Sequence, residues 1–598
     1  LQEATRRMDL VRDAWEGLPV NDQGLASTLQ AQDRELRASL QRCPMGDPAD
    51  STTVPRHLCS DPLVRAHGQA TRALVQAEIA RSAWEIRRAD AIGGADPSSV
   101  AAVSINMAML RMRLFDLDPA IDDLHRAFDL GTTDSRLGLL LRYGVQLRAP
   151  REPDMLEGAD LSAGGAGEAL LREARLVFLN AGYDLNTVLR ATKASSVSEF
   201  IFVEGKADNL ERNLLQSCEE PSPMKPETAD GLPRIPGKLV DLVRIFLLHR
   251  VLPLARLSQL FGPECLQLLL TLRAVTAVEG DACRLVSPAE AAAAVAADPS
   301  GCGALFAFSN IAVWPIEEDL LLCTDFEQTY STEDLEPVMY ISEDSWALVH
   351  GAPRRRVSSV LDVCCGSGIQ GIVALRKYAE KATFVDLNPR ALQFTRFNLA
   401  LNGLADRCLG LYSGHLEEAL PPEVMERGFD ALIANPPFVP NPQGIASGAG
   451  AMFGNGGDTG EDVIAAVVRL GSKVVHPGGT VSAVAMTPNA DAMPERIKLW
   501  YASAAGAGAS FEAKVFCGMP TPADRYRPTS SQVEGERYQA ALASMGVTSV
   551  SETVTVIRVG GTQGPSACVA GQTPDLWGDA NFLRTVVQNS VSAPAPAP

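Results

Sequence analysis

The sequence lacks the patterns that staple or metallate a small domain. Its 12 Cys are spread over 598 residues. No CxxC pair or Cys/His cluster at metal-ligand spacing occurs, so reduced thiols and no structural or catalytic metal are expected. Long apolar runs are missing too: Leu239 to Leu254 and Ala291 to Ala297 contain charges or are too short to cross the roughly 30 Å of hydrocarbon in a bilayer. A soluble protein with no membrane contact is expected, in a reducing compartment such as the cytoplasm or an organelle interior. The sequence opens on Leu1, and no charged-then-apolar targeting signal follows it. Positive charge is also short, with 53 Lys+Arg against 72 Asp+Glu and a net charge of -19 at pH 7. Polyanion binding rests on clustered cations, so nucleic acid is a disfavoured partner.

What remains is ordinary globular material, 46% hydrophobic and 21% charged, enough to bury real cores. At roughly 100 to 200 residues per domain, the length predicts three or four domains. Apolar residues at three- and four-residue spacing in Ala70 to Ile92, Val100 to Phe115 and Glu168 to Leu179 predict an α-helical N-terminal region over 1–218. Breaks at Cys43 to Pro55 and Ala149 to Gly167 divide it, and it is read as a docking, lid or dimer surface. A linker, 219–237, carries five prolines between Glu219 and Pro236.

Residues 238–290 predict a winged-helix-like module. Helices are expected at Leu239 to His249, Leu254 to Leu260 and Pro263 to Leu272, then two short strands, Ala274 to Val278 and Cys283 to Val286. Only Arg273 is cationic near the third helix, which favours protein packing over DNA binding. A small β connector, 291–339, follows, with two strands turning at Trp314 to Asp319. From 340 to 560 the pattern becomes strand, Gly-rich turn, helix, strand, acidic residue, helix, which predicts an α/β, doubly wound sheet. Residues 561–598 end in APAPAP and read as a loose tail.

The chemistry gathers in this last domain. A buried strand, Val360 to Val363, runs into Cys364-Cys365-Gly366-Ser367-Gly368 and then a helix, an arrangement that lets a ligand carboxylate or phosphate approach backbone N–H groups. A second strand ends in Asp386, followed by Leu387; an acid there can take both hydroxyls of a ribose and repels a 2'-phosphate. A fourth strand, from Asp430, ends in Asn435-Pro436-Pro437-Phe438. Asn435 and the Pro436 carbonyl can accept N–H bonds, the Pro436-Pro437 step is rigid, and Phe438 can stack on a planar group. Together they would orient a flat nitrogen toward an electrophile.

On these residues, 340–560 resembles the class I S-adenosylmethionine-dependent methyltransferases. Within them it is similar to the small methyltransferase domain group that holds the release-factor glutamine methyltransferases and related rRNA guanine and tRNA adenine enzymes. The resemblance implies a Rossmann-like methyltransferase sheet with S-adenosyl-L-methionine as cofactor. It implies that LDVCCGSG holds the methionine moiety, that Asp386 holds the ribose, and that Asn435 to Phe438 clamp the acceptor nitrogen. The segment Gly454 to Ile464 is similar to the glycine-rich stretch after the NPPY motif of the glutamine enzymes. Three positions depart from the pattern: Cys364 stands for the first glycine, Phe438 for Tyr, and Ser413-Gly414-His415-Leu416 where a Gly-Asp pair is common, which makes Ser413 a substitute adenine contact.

Asp362 is expected to fix the loop or contact the cofactor's amino group. Ser342 and Glu343 are weighed as cofactor contacts against a plain helix cap. Cys364 and Cys365 are read as small packing groups, and His415 and His476 as structural. The expected activity is methyl transfer to a planar nitrogen, on a protein acceptor. A small-molecule N-, O- or S-methyltransferase and a non-catalytic scaffold stay open as alternatives.

Overall fold

The computed structural model describes residues 2–19, 24–32, 62–92, 96–113, 117–132, 137, 141, 144, 155–200, 207–218, 235–279, 284–299, 305–317, 319–326, 336–442, 452–506, 508–526, 532–560, 568–569 and 575–590. The predicted breaks at Cys43 to Pro55 and at 149–154, almost all of the predicted linker (219–234), and 591–598 lie outside them. No helix among the described residues is long and apolar enough to cross a membrane.

Strands covered by helices on both faces must be apolar on both. Val357–Val363, Ala379–Asp386 and Phe429–Ala434 meet that demand, each with a run of four buried residues. They form the centre of a sheet with nine strands among the described residues, two of them the two-residue pieces Thr521–Pro522 and Cys568–Val569. We number its strands β1 (Val357–Val363), β2 (Ala379–Asp386), β3 (Cys408–Ser413), β4 (Phe429–Ala434), β5 (Val475–Pro488), β6 (Phe511–Cys517) and β7 (Ser549–Val559). The helices that matter for the site are α1 (Glu343–Gly351), α2 (Ile369–Lys377), α3 (Pro389–Leu401) and α4 (Asp462–Val474). The order is β3-β2-β1-β4-β5-β7-β6. Strands β3 through β5 run parallel, and β7 is antiparallel to both β5 and β6. The chain therefore reverses its winding direction between β1 and β4, where open α/β sheets bind ligands at their carboxyl ends.

The segment after Gly560 is not uniformly loose, which corrects the reading of 561–598 as a tail. Cys568–Val569 adds to β6. Leu576, Leu583 and Val587 are each fully buried and share a core with Ala347 and Leu348 of α1. Spaced apolar residues in a polar stretch carried that signal.

Upstream, the three predicted helices of the winged-helix-like segment lie at Gly237–Phe246, Leu254–Phe261 and Pro263–Thr271, and the hairpin at Val275–Glu279 and Arg284–Val286. Two features were misread. Ser287 and Glu290 form a reciprocal capping box that starts a helix, Pro288–Ala297, across the expected boundary at 290. The alternating stretch from Phe306 predicts the first connector strand, but Leu305–Ser309 pairs with Val275–Glu279 instead, and the connector hairpin is Ala312–Pro315 with Leu321–Thr324, around the expected turn.

The N-terminal region also divides. Gln2–Gly17 and Pro62–Ile92 keep a core of their own around Trp15 and Trp84, whose rings lie 5.3 Å apart. From Met155 onward, Phe178 and Tyr183 join Leu239, Phe246, Ile372 and Phe394 in one core. The connector is bolted to α3 by buried polar groups. Asn398 accepts from the Cys323 N–H (2.7 Å) and donates to the Cys323 carbonyl (2.9 Å). Asn402, one turn on, makes the same pair with Leu321. Arg390 forms a two-point ion pair with Asp325, at 3.0 and 2.5 Å. Removing one partner of such a buried pair costs about 3–5 kcal/mol. Asp325→Ala is accordingly expected to lower the unfolding free energy of the full chain by that order, read as a lower denaturant midpoint, and an unchanged midpoint would contradict this account of the joint.

Candidate active site

The loop between β1 and α2 is shaped by a buried acid at each side. Asp362, fully buried, accepts the Gly371 N–H on Oδ2 at 2.7 Å. A Cβ at Gly371 would lie 2.3 Å from the Phe384 ring, so only glycine lets α2 sit this close to β2. Burial pushes the Asp362 carboxyl well above the usual carboxylate range, and the Gly371 N–H offsets part of that. Asp386 accepts the Gly366 N–H on Oδ2 (2.8 Å) and the Asn388 N–H on Oδ1 (2.9 Å). Its carboxyl is raised by burial and lowered by these N–H groups and that of Leu387. Each oxygen keeps a lone pair for a ligand hydroxyl.

Cys364 has φ of 53°, a left-handed conformation that costs a non-glycine residue on the order of 1–3 kcal/mol. Cysteine at the loop's first turn thus stores strain that glycine would not. Burial raises the Cys364 and Cys365 thiols, which disfavours the reactive thiolate; Cys365 is buried, and Cys364 is half-buried.

A cavity of about 300 Å³ opens at the carboxyl ends of β1, β2 and β4. Of the predicted residues, Cys364, Gly366, Ser367, Asp386, Leu387, Asn435 and Pro437 line it. Five others do not. Asp362 lies beneath the loop as its anchor, and Gly368, with φ of 82°, is the turn that opens α2. Ser413 is exposed, and Gly414, His415 and Leu416 take its place in the wall. Pro436 and Phe438 lie outside the lining, and the Phe438 ring packs on Trp577, 5.6 Å away in the C-terminal segment.

Other expectations change as well. His415 is a wall residue and not merely structural, whereas His476 is exposed and bonds the Arg427 carbonyl at 3.0 Å. Ser342 stands at the N-cap position of α1 without a side-chain capping bond, its hydroxyl turned to Asp344, and with Glu343 it lines a second cavity, about 940 Å³, on the other side of that helix. In their stead Ser345 and Gln370 reach the first cavity, joined by a bond from Gln370 Nε2 to the Ser345 carbonyl at 3.0 Å. Neither belongs to a motif, so only the fold reveals them.

The glycine-rich segment closes on the strand that follows Asn435. Val439 N–H donates to the Gly454 carbonyl (2.9 Å) and Gly456 N–H to the Val439 carbonyl (3.0 Å). A Cβ at Gly460, where φ is 82°, would stand 2.4 Å from the Phe438 carbonyl oxygen. Asn435 itself donates from Nδ2 to Asp344 Oδ2 at 2.8 Å, while its Oδ1 is buried with no partner among the described residues. The site therefore offers a helix N-terminus for a carboxylate, a carboxylate for vicinal hydroxyls and one unspent amide acceptor, which fits a nucleoside carrying an amino-acid tail.

Residues 341–489 match the family model described as methyltransferase small domain. This segment is a class I S-adenosylmethionine-dependent methyltransferase domain. Ribosomal protein L11 methyltransferase of Pelobacter propionicus is 31% identical over 123 residues, which are 20% of this chain and 37% of that protein. The tRNA1(Val) (adenine(37)-N6)-methyltransferase of Shewanella sp. (strain W3-18-1) is 29% identical over 109 residues, 18% of this chain and 45% of that one. The chain thus spans less than half the length of these curated relatives. A solved structure, a predicted O-methyltransferase of Agrobacterium tumefaciens, aligns with a TM-score of 0.24 and 17% identity over 42% of this chain and 98% of its own.

Hydrogen bonds to a charged group are worth about 1.5–3 kcal/mol. Asp386→Ala is expected to weaken S-adenosylhomocysteine binding by about tenfold or more, measured by calorimetry on the full chain; equal affinity in both proteins would remove Asp386 from the site.

Proposed function

We propose that the chain is an enzyme that transfers a methyl group from S-adenosylmethionine to a planar nitrogen on a protein. The observation that carries this reading is the Asn435 amide at the carboxyl edge of β4, in the cavity wall, with its Oδ1 buried and unspent. The cofactor supplies, when bound, an electrophilic methyl group on a sulfonium. The α2 N-terminus and the Gly366-Ser367 turn hold the amino-acid tail, and Asp386 holds the ribose. Leu387 and the Gly414-His415-Leu416 turn flank the base. Asn435 Oδ1 and the Pro436 carbonyl accept the N–H groups of the acceptor, so that its lone pair faces the methyl group. Alignment of this kind, and not acid-base chemistry, is the main contribution asked of the protein. The acceptor nitrogen loses its proton to water after transfer.

The second cavity supports a protein acceptor. It shares the first turn of α1 with the cofactor cavity, and Trp577, the neighbour of Phe438, stands in its wall. Its side chains mix Arg354, Lys377 and Arg584 with Asp184, Glu317 and Glu343. Arg354 is already bound to Glu317 at 2.8 Å. Such a lining suits a folded or looped polypeptide better than a phosphate backbone, which calls for cations in excess. The relatives leave a second reading, an exocyclic amine of a tRNA base, since one of them is named for adenine N6.

Both are tested by supplying methyl-tritiated S-adenosylmethionine to the full chain with ribosomal proteins and glutamine-bearing proteins, total tRNA, or small amines and thiols. Label is expected in protein, reduced about 100-fold in Asn435→Ala while cofactor binding persists. Label in tRNA or a small molecule alone would overturn the protein acceptor. Cofactor binding with no transfer to any of them would favour the scaffold.

A further inference from the structure

An amide clamp works only if its carbonyl end, and not its NH2 end, faces the acceptor, and the two ends are nearly the same in shape. Turned by 180°, Asn435 would set its own hydrogens against those of the acceptor nitrogen. We propose that Asp344, in the first turn of α1, is the positioning residue that fixes this choice. The inference rests on the methyltransferase reading and adds to it a residue that belongs to none of the motifs.

The argument is one of donors and acceptors. An ionised carboxylate accepts only, so the group facing Asp344 has to be the Nδ2 end of Asn435, as the 2.8 Å bond records. The Ser345 hydroxyl lies 3.5 Å from the same nitrogen. Asn435 belongs to the cavity wall and Asp344 does not; with Nδ2 held by Asp344, the end free to meet an acceptor is Oδ1, which is buried and has no partner among the described residues. Asp344 is 3% exposed, a place where a carboxylate persists only if its bonds are made. The Ser342 hydroxyl, Asn435 and the backbone N–H groups of Asp344 and Ser345 donate to it. Its place at a helix N-terminus also favours the negative charge. Burial raises the Asp344 carboxyl and these donors offset part of that, and its bond to Asn435 is the one that reaches out of the helix start to the end of β4.

Asp344→Asn keeps the shape but offers both a donor and an acceptor, so either orientation of Asn435 becomes permissible; Asp344→Ala removes the partner. In both, kcat is expected to fall roughly 10- to 100-fold with KM for S-adenosylmethionine nearly unchanged. In an Asn435→Ala background, Asp344→Asn is expected to add almost nothing, since the group it orients is gone. Losses that add in full, or an unchanged kcat in Asp344→Asn, would overturn the proposal.

A second readout stands apart from turnover. With asparagine labelled in nitrogen-15, the side-chain NH2 of Asn435 is identified by its absence in Asn435→Ala. Its protons are expected to exchange slowly in the wild type and to lose that protection in Asp344→Ala; fast exchange in the wild type would also overturn the proposal. A wild type that transfers no methyl group refutes the function above, whereas active wild type with an indifferent Asp344→Asn refutes only the role of Asp344.

Discussion

The site depends first on the side chain of Asn398. This fully buried amide accepts from and donates to the Cys323 backbone, closing the open edge of the connector hairpin, and gives its second N–H to the Ser367 carbonyl at 2.9 Å. One residue thus spends every hydrogen-bonding group it has in joining the connector, α3 and the cofactor loop. A buried amide left partly unpaired is costly, so the three elements settle together or not at all. The neighbouring ion pair extends the joint, because Asp325 Oδ2 accepts from Arg390 and also from the Val338 N–H at 2.8 Å. Val338 belongs to the strip that covers the cavity. The upstream module is therefore part of the site's foundation and not an appendage to it.

On that foundation the loop can tolerate strain. Cys364 sits in a left-handed conformation where glycine would be relaxed, and Asp362 and Asp386 hold the turn from below and from the side through backbone N–H groups. The clamp is held likewise: Val439 pairs with Gly454 and Gly456, Gly460 sits against the Phe438 carbonyl, and Trp577 backs the Phe438 ring. Each half of the site is thus positioned by contacts within the protein, the kind of support on which alignment of reacting groups depends.

The sequence discloses what is local. The strands around Val360, Phe384 and Ile433, the glycine turn, Asp386 and Asn435 all announce themselves, because each is a short motif whose physics is contained within a few residues. What depends on distant partners does not. Asp344 and Asn435 are 91 positions apart, and the segment around Asp344 points to its neighbours Ser342 and Glu343 as cofactor contacts, not to a partner for Asn435. Phe438 reads as part of the acceptor surface until Trp577, in a segment of tail-like composition, proves to be its neighbour. Ser413 fails for a related reason: the turn that follows β3 carries the chain so that Gly414 to Leu416, and not Ser413, meet the cavity.

The central claim is that the cavity at the ends of β1, β2 and β4 seats the cofactor with its reactive sulfur toward Asn435. The crystal structure of the full chain with S-adenosylhomocysteine tests it most directly. The account predicts ribose hydroxyls on Asp386, the amino-acid tail against the N–H groups at the start of α2, and the thioether facing the Asn435 side chain. A nucleoside seated in the larger cavity beyond α1, or one turned so that its sulfur points away from Asn435, would contradict it.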